Sequence, residues 1–192
     1  NIGIDGATCQ NWQSNHHVYG LNLLAFSRAA WHDEVDPDAL LDEYLMGMFG
    51  SAAGEVRPVF DKFHVAWEHA ESEGLRIRPN GRSIIMLLET VGEEYLNDCL
   101  EKARKKASGD RERRQVGNLA KAVEYWEMAA EIFRLEEKAK DEIKQGNTGS
   151  GKAYYKEARD RCDKIIAYLP RLAPGWGQST LDQRWERYKG RL

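Results

Sequence analysis

The start of the chain gathers the side chains best suited to holding a small polar ligand. From Thr8 to His17 the sequence reads Thr8-Cys9-Gln10-Asn11-Trp12-Gln13-Ser14-Asn15-His16-His17. Amides, hydroxyls, imidazoles and one indole are the mixture that grips sugars: a pyranose ring stacks on the aromatic face while its hydroxyls exchange hydrogen bonds with the amides. Asp5 stands just before this stretch, at the end of a short strand, and ligand sites concentrate at such strand ends in barrel folds. The candidate ligand-contacting residues are therefore Asp5, Asn11, Trp12, Gln13, Asn15 and His17. The plainer alternative is a surface loop with a packed tryptophan. A glycosidase needs two carboxylates at a set separation, and one aspartate does not supply them, so no catalytic residue and no cofactor site are assigned.

Other chemistry-bearing patterns are weaker. His64-Val65-Ala66-Trp67-Glu68-His69 superficially suggests a zinc helix, but a spacing of five turns the two imidazoles about 140° apart, whereas a metalloprotease helix needs i, i+4. Asp61-Lys62-Phe63-His64 resembles half of a di-iron bundle motif without a second copy. The basic cluster Lys102, Arg104, Lys105, Lys106, Arg111, Arg113 and Arg114 is interrupted by Glu101, Asp110 and Glu112 and has no interleaved aromatic residues. It reads as a charged helix end rather than a nucleic-acid platform. Cys9, Cys99 and Cys162 are odd in number and far apart, which fits neither a disulfide framework nor structural zinc; they read as small buried apolar residues.

The elements that must position these residues are mostly helices. Ile2 and Ile4 alternate with Gly3 and Asp5 as a short strand, Gly6 to Asn15 is a polar loop, and no later segment offers that strand a partner. From His17 to Trp31 the apolar spacing is helical, with Leu21, Leu24, Ala25 and Arg28 on one face. Asp36-Pro37 opens the next helix, Leu40, Leu41, Tyr44, Leu45 and Met48 form its stripe, and Gly50 ends it. Ser51 is placed to cap a third helix, in which Val56, Val59, Phe60, Phe63, Trp67 and Ala70 recur until Gly74. Ser83 to Leu88 is an apolar run compatible with helix or strand. Thr90-Val91-Gly92-Glu93 matches a capping box for a helix running to about Ala107. A long helix follows from Asp110 to Gln145, with Val116, Leu119, Val123, Trp126, Ala130 and Phe133 on its buried edge and a polar end from Glu137. Gly146 to Gly151 reads as a flexible connector. Tyr155, Ala158, Cys162, Ile165, Ile166 and Leu169 mark a further helix before Pro170, and Ser179 to Tyr188 a last short one. Short loops between long helices favour antiparallel packing.

Composition is that of a folded chain: 192 residues, 42% hydrophobic and 31% charged, without an apolar run near the roughly 20 residues that span a bilayer. The net charge of −3 conceals an asymmetry. Residues 1–96 carry 6 basic and 15 acidic side chains, residues 97–192 carry 22 and 16. Solvated faces account for this more simply than attraction between layers, since exposed pairs contribute under about 1 kcal/mol each.

Several of these segments resemble a known family. Gly20-Leu21-Asn22 through Ala30-Trp31, then Val35-Asp36-Pro37-Asp38-Ala39-Leu40-Leu41-Asp42-Glu43-Tyr44, and Phe49-Gly50-Ser51-Ala52-Ala53 are similar to the carboxy-terminal part of a family of bacterial glycoside-hydrolase-like proteins. Glu89-Thr90, Arg113-Arg114 and Val116 are also similar, so that the resemblance spans roughly residues 1–140. Such proteins join a (β/α)8 barrel to a helical region, an architecture like that of α-glucuronidases. The resemblance implies that Ile2 to Asp5 is the last barrel strand, His17 to Trp31 the last barrel helix, and the Trp12 loop part of the mouth of a sugar cleft. The expected fold is mainly α, an antiparallel helical bundle, with a short N-terminal strand and helix that look like the end of a (β/α)8 barrel. Residues 1–35 would be the tail of the barrel, and residues 36–192 a helical C-terminal domain. Starting at Asn1 with an unpartnered strand, the chain reads as a piece of a longer protein.

The expected role is to support the barrel, lend one loop to its sugar cleft and take part in oligomerisation. The parent would be a glycoside hydrolase acting on carbohydrate, and the fragment alone inactive. Nucleic acid and membrane are not expected partners, and a secreted or periplasmic parent is compatible with the residues. The rival is a freestanding helical protein-binding or scaffold module.

Overall fold

The computed structural model describes residues 16–31, 34–74 and 82–172, with side chains described from Gly20 to Trp31, Glu34 to Gly74 and Ile85 to Ala167. The expected strand Ile2–Asp5, the Thr8–Asn15 loop and the last helix at Ser179–Tyr188 lie outside the described residues. What is described is helical, with no strand among the described residues: α1 (His16–Trp31), α2 (Pro37–Phe49), a 3-10 turn (Gly50–Ala52), α3 (Ala53–Ser72), α4 (Arg82–Val91), α5 (Glu93–Lys106), α6 (Asp110–Lys144) and α7 (Thr148–Leu172). The mainly α class expected from the apolar spacing is thus observed.

Helix ends follow local chemistry. Asp36 is extended, and its Oδ1 accepts hydrogen bonds from the amides of Asp38 at 2.9 Å and Ala39 at 3.3 Å. Pro37 occupies the first turn, where its missing N–H costs nothing. Gly50, at φ +53°, closes α2 by donating its N–H to Met46 O, a backbone state disfavoured for residues with a Cβ.

Ser51 departs from expectation. It does not cap α3, whose N-terminus has no side-chain cap; it lies inside the 3-10 turn and reaches across to the α5–α6 junction. The Thr90–Glu93 capping box also fails, although a helix does begin there. Thr90 and Val91 close α4, and Gly92, at φ +88°, donates to Leu88 O at 2.8 Å while its carbonyl accepts from Leu96 N at 3.1 Å. One glycine ends α4 and starts α5, a bend that a threonine cap could not make. The Ser83–Leu88 run is helix. The Gly146–Gly151 connector is shorter than expected, since α7 begins at Thr148 and only Gly146, at φ +87°, is left-handed.

One core joins α2 to α6. Leu45, Phe49, Val56, Val59, Leu88, Leu96, Leu100, Val116 and Val123 are buried in it, and Leu21, Leu24, Phe60, Phe63 and Trp126 pack on its edge. Phe63 meets Trp126 edge-on at 5.3 Å, and Tyr44 meets Phe60 at 6.1 Å. Burial holds the Tyr44 hydroxyl up at about 12. Gly20 lets α1 approach this ring, because a Cβ there would stand 3.0 Å from Tyr44 Cε2 and from its hydroxyl. One expected core position shifts. Ala66 replaces Trp67 on the buried side of α3, and Trp67 is half-exposed, its indole N–H donating to Glu71 at 3.1 Å.

α6, roughly 52 Å long at 1.5 Å per residue, carries a second stripe that the sequence reading omitted. Ile132, Leu135 and Ala139 pack against Tyr155, Ala158, Cys162 and Ile165 of α7 as a separate cluster. The end of α6 is therefore not wholly polar, because Ala139 is fully buried. The pairs Arg161–Glu131 and Lys138–Tyr154 show that α6 and α7 run antiparallel. Cys99 and Cys162 are both buried, and neither is in a disulfide; Cys9 lies outside the described residues.

Phe49 has no exposed surface, whereas Met46 on the same helix is 62% exposed. Phe49→Ala is expected to cost about 3–5 kcal/mol, with urea unfolding as the measure, and Met46→Ala to stay within about 0.5 kcal/mol of the parent. Equal losses from the two would show that the core is not where it is placed here.

Candidate functional site

The most elaborate polar cluster is built where the end of α2, the 3-10 turn, the end of α5 and the start of α6 meet. Glu112, the third residue of α6, turns back toward the preceding loop. Its Oε2 accepts from the Ser108 amide at 2.9 Å, lies 3.1 Å from Ser108 Oγ and 2.5 Å from Ser51 Oγ. Ser51 Oγ is also 2.8 Å from Lys106 O, and its single proton serves one acceptor at a time. Gly50 packs under this carboxylate so closely that a Cβ would lie 2.1 Å from Glu112 Oε1.

The hydroxyl of Ser51 and the amide of Ser108 hold the Glu112 carboxyl down at about 2. A serine beside a glutamate suggests nucleophile and base, but a general base works best with a pKa near the operating pH. A carboxylate held at about 2 is too weak a base to take a serine proton near neutrality. The cluster is a clasp between helix ends.

Four of the basic residues around the clasp are engaged as well. Arg111 Nη2 donates to Gly47 O at 2.9 Å, at the end of α2. Arg113 Nη1 donates to Ser108 O at 3.0 Å, and its Nη2 to Asp110 at 2.8 Å. Lys102 pairs with Asp98 at 2.7 Å, and Arg104 with Glu101. Arg111 thus meets a carbonyl near the end of α2 and Arg113 one just past the end of α5, where a cation faces the negative end of a helix dipole.

A shallow groove between α4 and α6 encloses about 370 Å3 over Ile85 and Met86, rimmed by Glu89, Arg134, Glu137, Lys138 and Asp141. Arg134 is held by Glu89 at 3.6 Å and Glu93 at 3.3 Å. The groove's volume suits a small ligand, but of its two rim cations Arg134 is already bonded to two carboxylates.

Of the sequence-predicted contact residues, Asp5, Asn11, Trp12, Gln13 and Asn15 lie outside the described residues. His17 lies in α1, but its side chain is not described. His64 and Glu68 share a face, with Nε2 and Oε1 3.4 Å apart and both exposed; no group of three or more metal-ligating side chains gathers among the described residues. No helix among the described residues is long and apolar enough to cross a membrane. The clasp has no local signature because Ser51 and Glu112 are 61 positions apart.

No family model matches the chain, and no curated protein or solved structure matches it significantly.

The depressed Glu112 pKa has a signed consequence. Stability from the clasp is complete above the ordinary carboxyl value of 4.5 and is lost as pH falls toward about 2. Glu112→Gln should lower the Tm at pH 7 and flatten its fall between these limits. A variant whose acid limb parallels the parent's would exclude the clasp from acid unfolding. Gly50→Ala, strained at φ +53° and crowded against Glu112, should cost more than about 1 kcal/mol by urea unfolding.

Proposed function

We propose that this chain is the helical support region of a larger glycoside-hydrolase-like protein acting on carbohydrate. In this reading it buttresses the barrel and lends to the sugar cleft the loop holding Asn11, Trp12, Gln13, Asn15 and His17, with Asp5 before it. By itself it would have no hydrolase activity.

The observation that carries the reading is the two-sidedness of α1. Leu21 and Leu24 rest on the edge of the main core. At 100° per residue, Leu23, Phe26 and Ala30 fall on the opposite side of the helix. There Leu23 is only partly buried, Phe26 is 38% exposed and Ala30 is exposed, while Trp31 at the helix end is 84% exposed. None of the described side chains of α1 is fully buried. A helix with apolar residues on both sides is suited to lying between two bodies, here the bundle and the barrel of which it would be the last helix. The segments resembling the glycoside-hydrolase-like family support the same assignment.

The second reading, a freestanding helical protein-binding or scaffold module, draws on one observation: Leu21 and Leu24 join the same core as α2 to α6, so α1 is not packed apart from the rest.

An immunoblot of source-cell extract with antibodies raised against this chain separates the two. The first reading expects a product several hundred residues longer, which hydrolyses aryl glycosides when purified, and a 192-residue chain whose Tm oligosaccharides do not shift. A native product of 22 kDa would establish the freestanding module instead, and strong stabilisation of the short chain by a sugar would contradict its expected lack of a complete site.

A further inference from the structure

We infer that α7 is a strap that opens from α6 as one unit while α1 to α6 remain folded. Among the described residues α7 packs against α6 alone, whereas α3 and α5 each pack against several elements. Its buried side chains, Tyr155, Ala158, Cys162 and Ile165, belong to a cluster separate from the main core. Lifting α7 therefore uncovers Ile132, Leu135 and Ala139 but breaks none of the packing around Phe49, Val56 or Leu96.

The seam is also less apolar than the main core. Glu136, on the same side of α6 as Ile132 and Ala139, is only 5% exposed. The outward side of α7 carries exposed Lys156, Glu157, Asp160, Asp163 and Lys164. The hinge is short. Between Lys144 and Thr148 the chain reverses at Gly146, φ +87°, and a few dihedrals there suffice for the motion. Close fit at the base of the strap fixes its closed position, since a Cβ on Gly151 would meet Ile143 Cγ1 at 2.5 Å and Ala139 O at 3.0 Å. Units of this kind open with free energies below that of global unfolding.

Native-state hydrogen exchange of the full 192-residue chain in rising, sub-denaturing urea tests this. Amides from 152 to 166 are expected to converge on one opening, at least about tenfold faster than the slowest amides of α3 and α5 and with a shallower urea dependence. Val56→Ala, in the main core, provides the second arm. Its contacts survive when α7 alone opens, so it should speed the slowest α3 and α5 amides about tenfold or more and leave those of α7 unchanged. The strap is refuted if α7 amides share the rate and urea slope of the core, or if Val56→Ala accelerates them to the same extent.

Discussion

Glu112 is the point through which two distant parts of the chain are held in register. Its carboxylate gathers the hydroxyl of Ser51, from the turn after α2, and the amide of Ser108, from the turn before α6. Each donor belongs to a break between helices, where orphan backbone groups would otherwise need water. Arg111 and Arg113 complete the pattern by meeting the carbonyls of Gly47 and Ser108. Gly50 is needed twice at the same spot, once for its left-handed backbone and once for the room its missing Cβ leaves to the carboxylate. Phe49, next to it, is fully buried, so this polar junction borders the apolar core. Since the start of α6 is fixed here, so is the direction of a helix that goes on to carry Arg134 and the seat of α7.

Away from this junction, electrostatics have a minor part. The acidic first half and basic second half meet in the ion pairs of Arg134 with Glu89 and Glu93. Arg57, with Asp38, Asp42 and Asp61, stays within the acidic half. The carboxylates in these pairs are about half-exposed or more, and solvent screening keeps such pairs weak. Cohesion rests instead on Leu45, Phe49, Val56, Leu96 and Val116, each at most 1% exposed. At roughly 1.5–3 kcal/mol for each fully buried large side chain, a handful of these outweighs all the exposed pairs.

What was legible in the sequence was what short-range chemistry determines. Asp36 and Pro37 announce a helix start because capping needs only neighbours two and three residues away, and the spacing of Leu40, Tyr44 and Leu45 shows which side of α2 is buried. Ser51 misled because a serine ahead of an apolar helix has the same local appearance whether it caps that helix or bridges to a partner 61 residues away. Thr90 misled for a related reason. The capping-box pattern was present, but Gly92 with φ +88° offered a tighter solution. The second stripe on α6 was overlooked because Ile132, Leu135 and Ala139 lie among charged residues, and their meaning appears only once α7 folds back on them. The candidate sugar-contacting residues, apart from His17, precede the described part of the chain, and the case for them rests on their side-chain types and on the family resemblance.

Burial thermodynamics also ranks the surfaces left over. In the α4–α6 groove, a ligand would have to displace water from Glu89, Glu137, Lys138 and Asp141 and compete with carboxylates already bound to Arg134; each desolvated charge not matched by a new partner counts against binding. On α1 the balance reverses. Leu23, Phe26 and Ala30 present no charge to be desolvated, and covering them gains about 25 cal/mol for each Å2 of apolar surface removed from water. Arg28, on the bundle-facing side of α1 with Leu21 and Leu24, pairs with Glu43 on α2. The groove is therefore the better-shaped concavity and the poorer contact, and of these two surfaces the Leu23–Phe26–Ala30 side of α1 loses less in being covered.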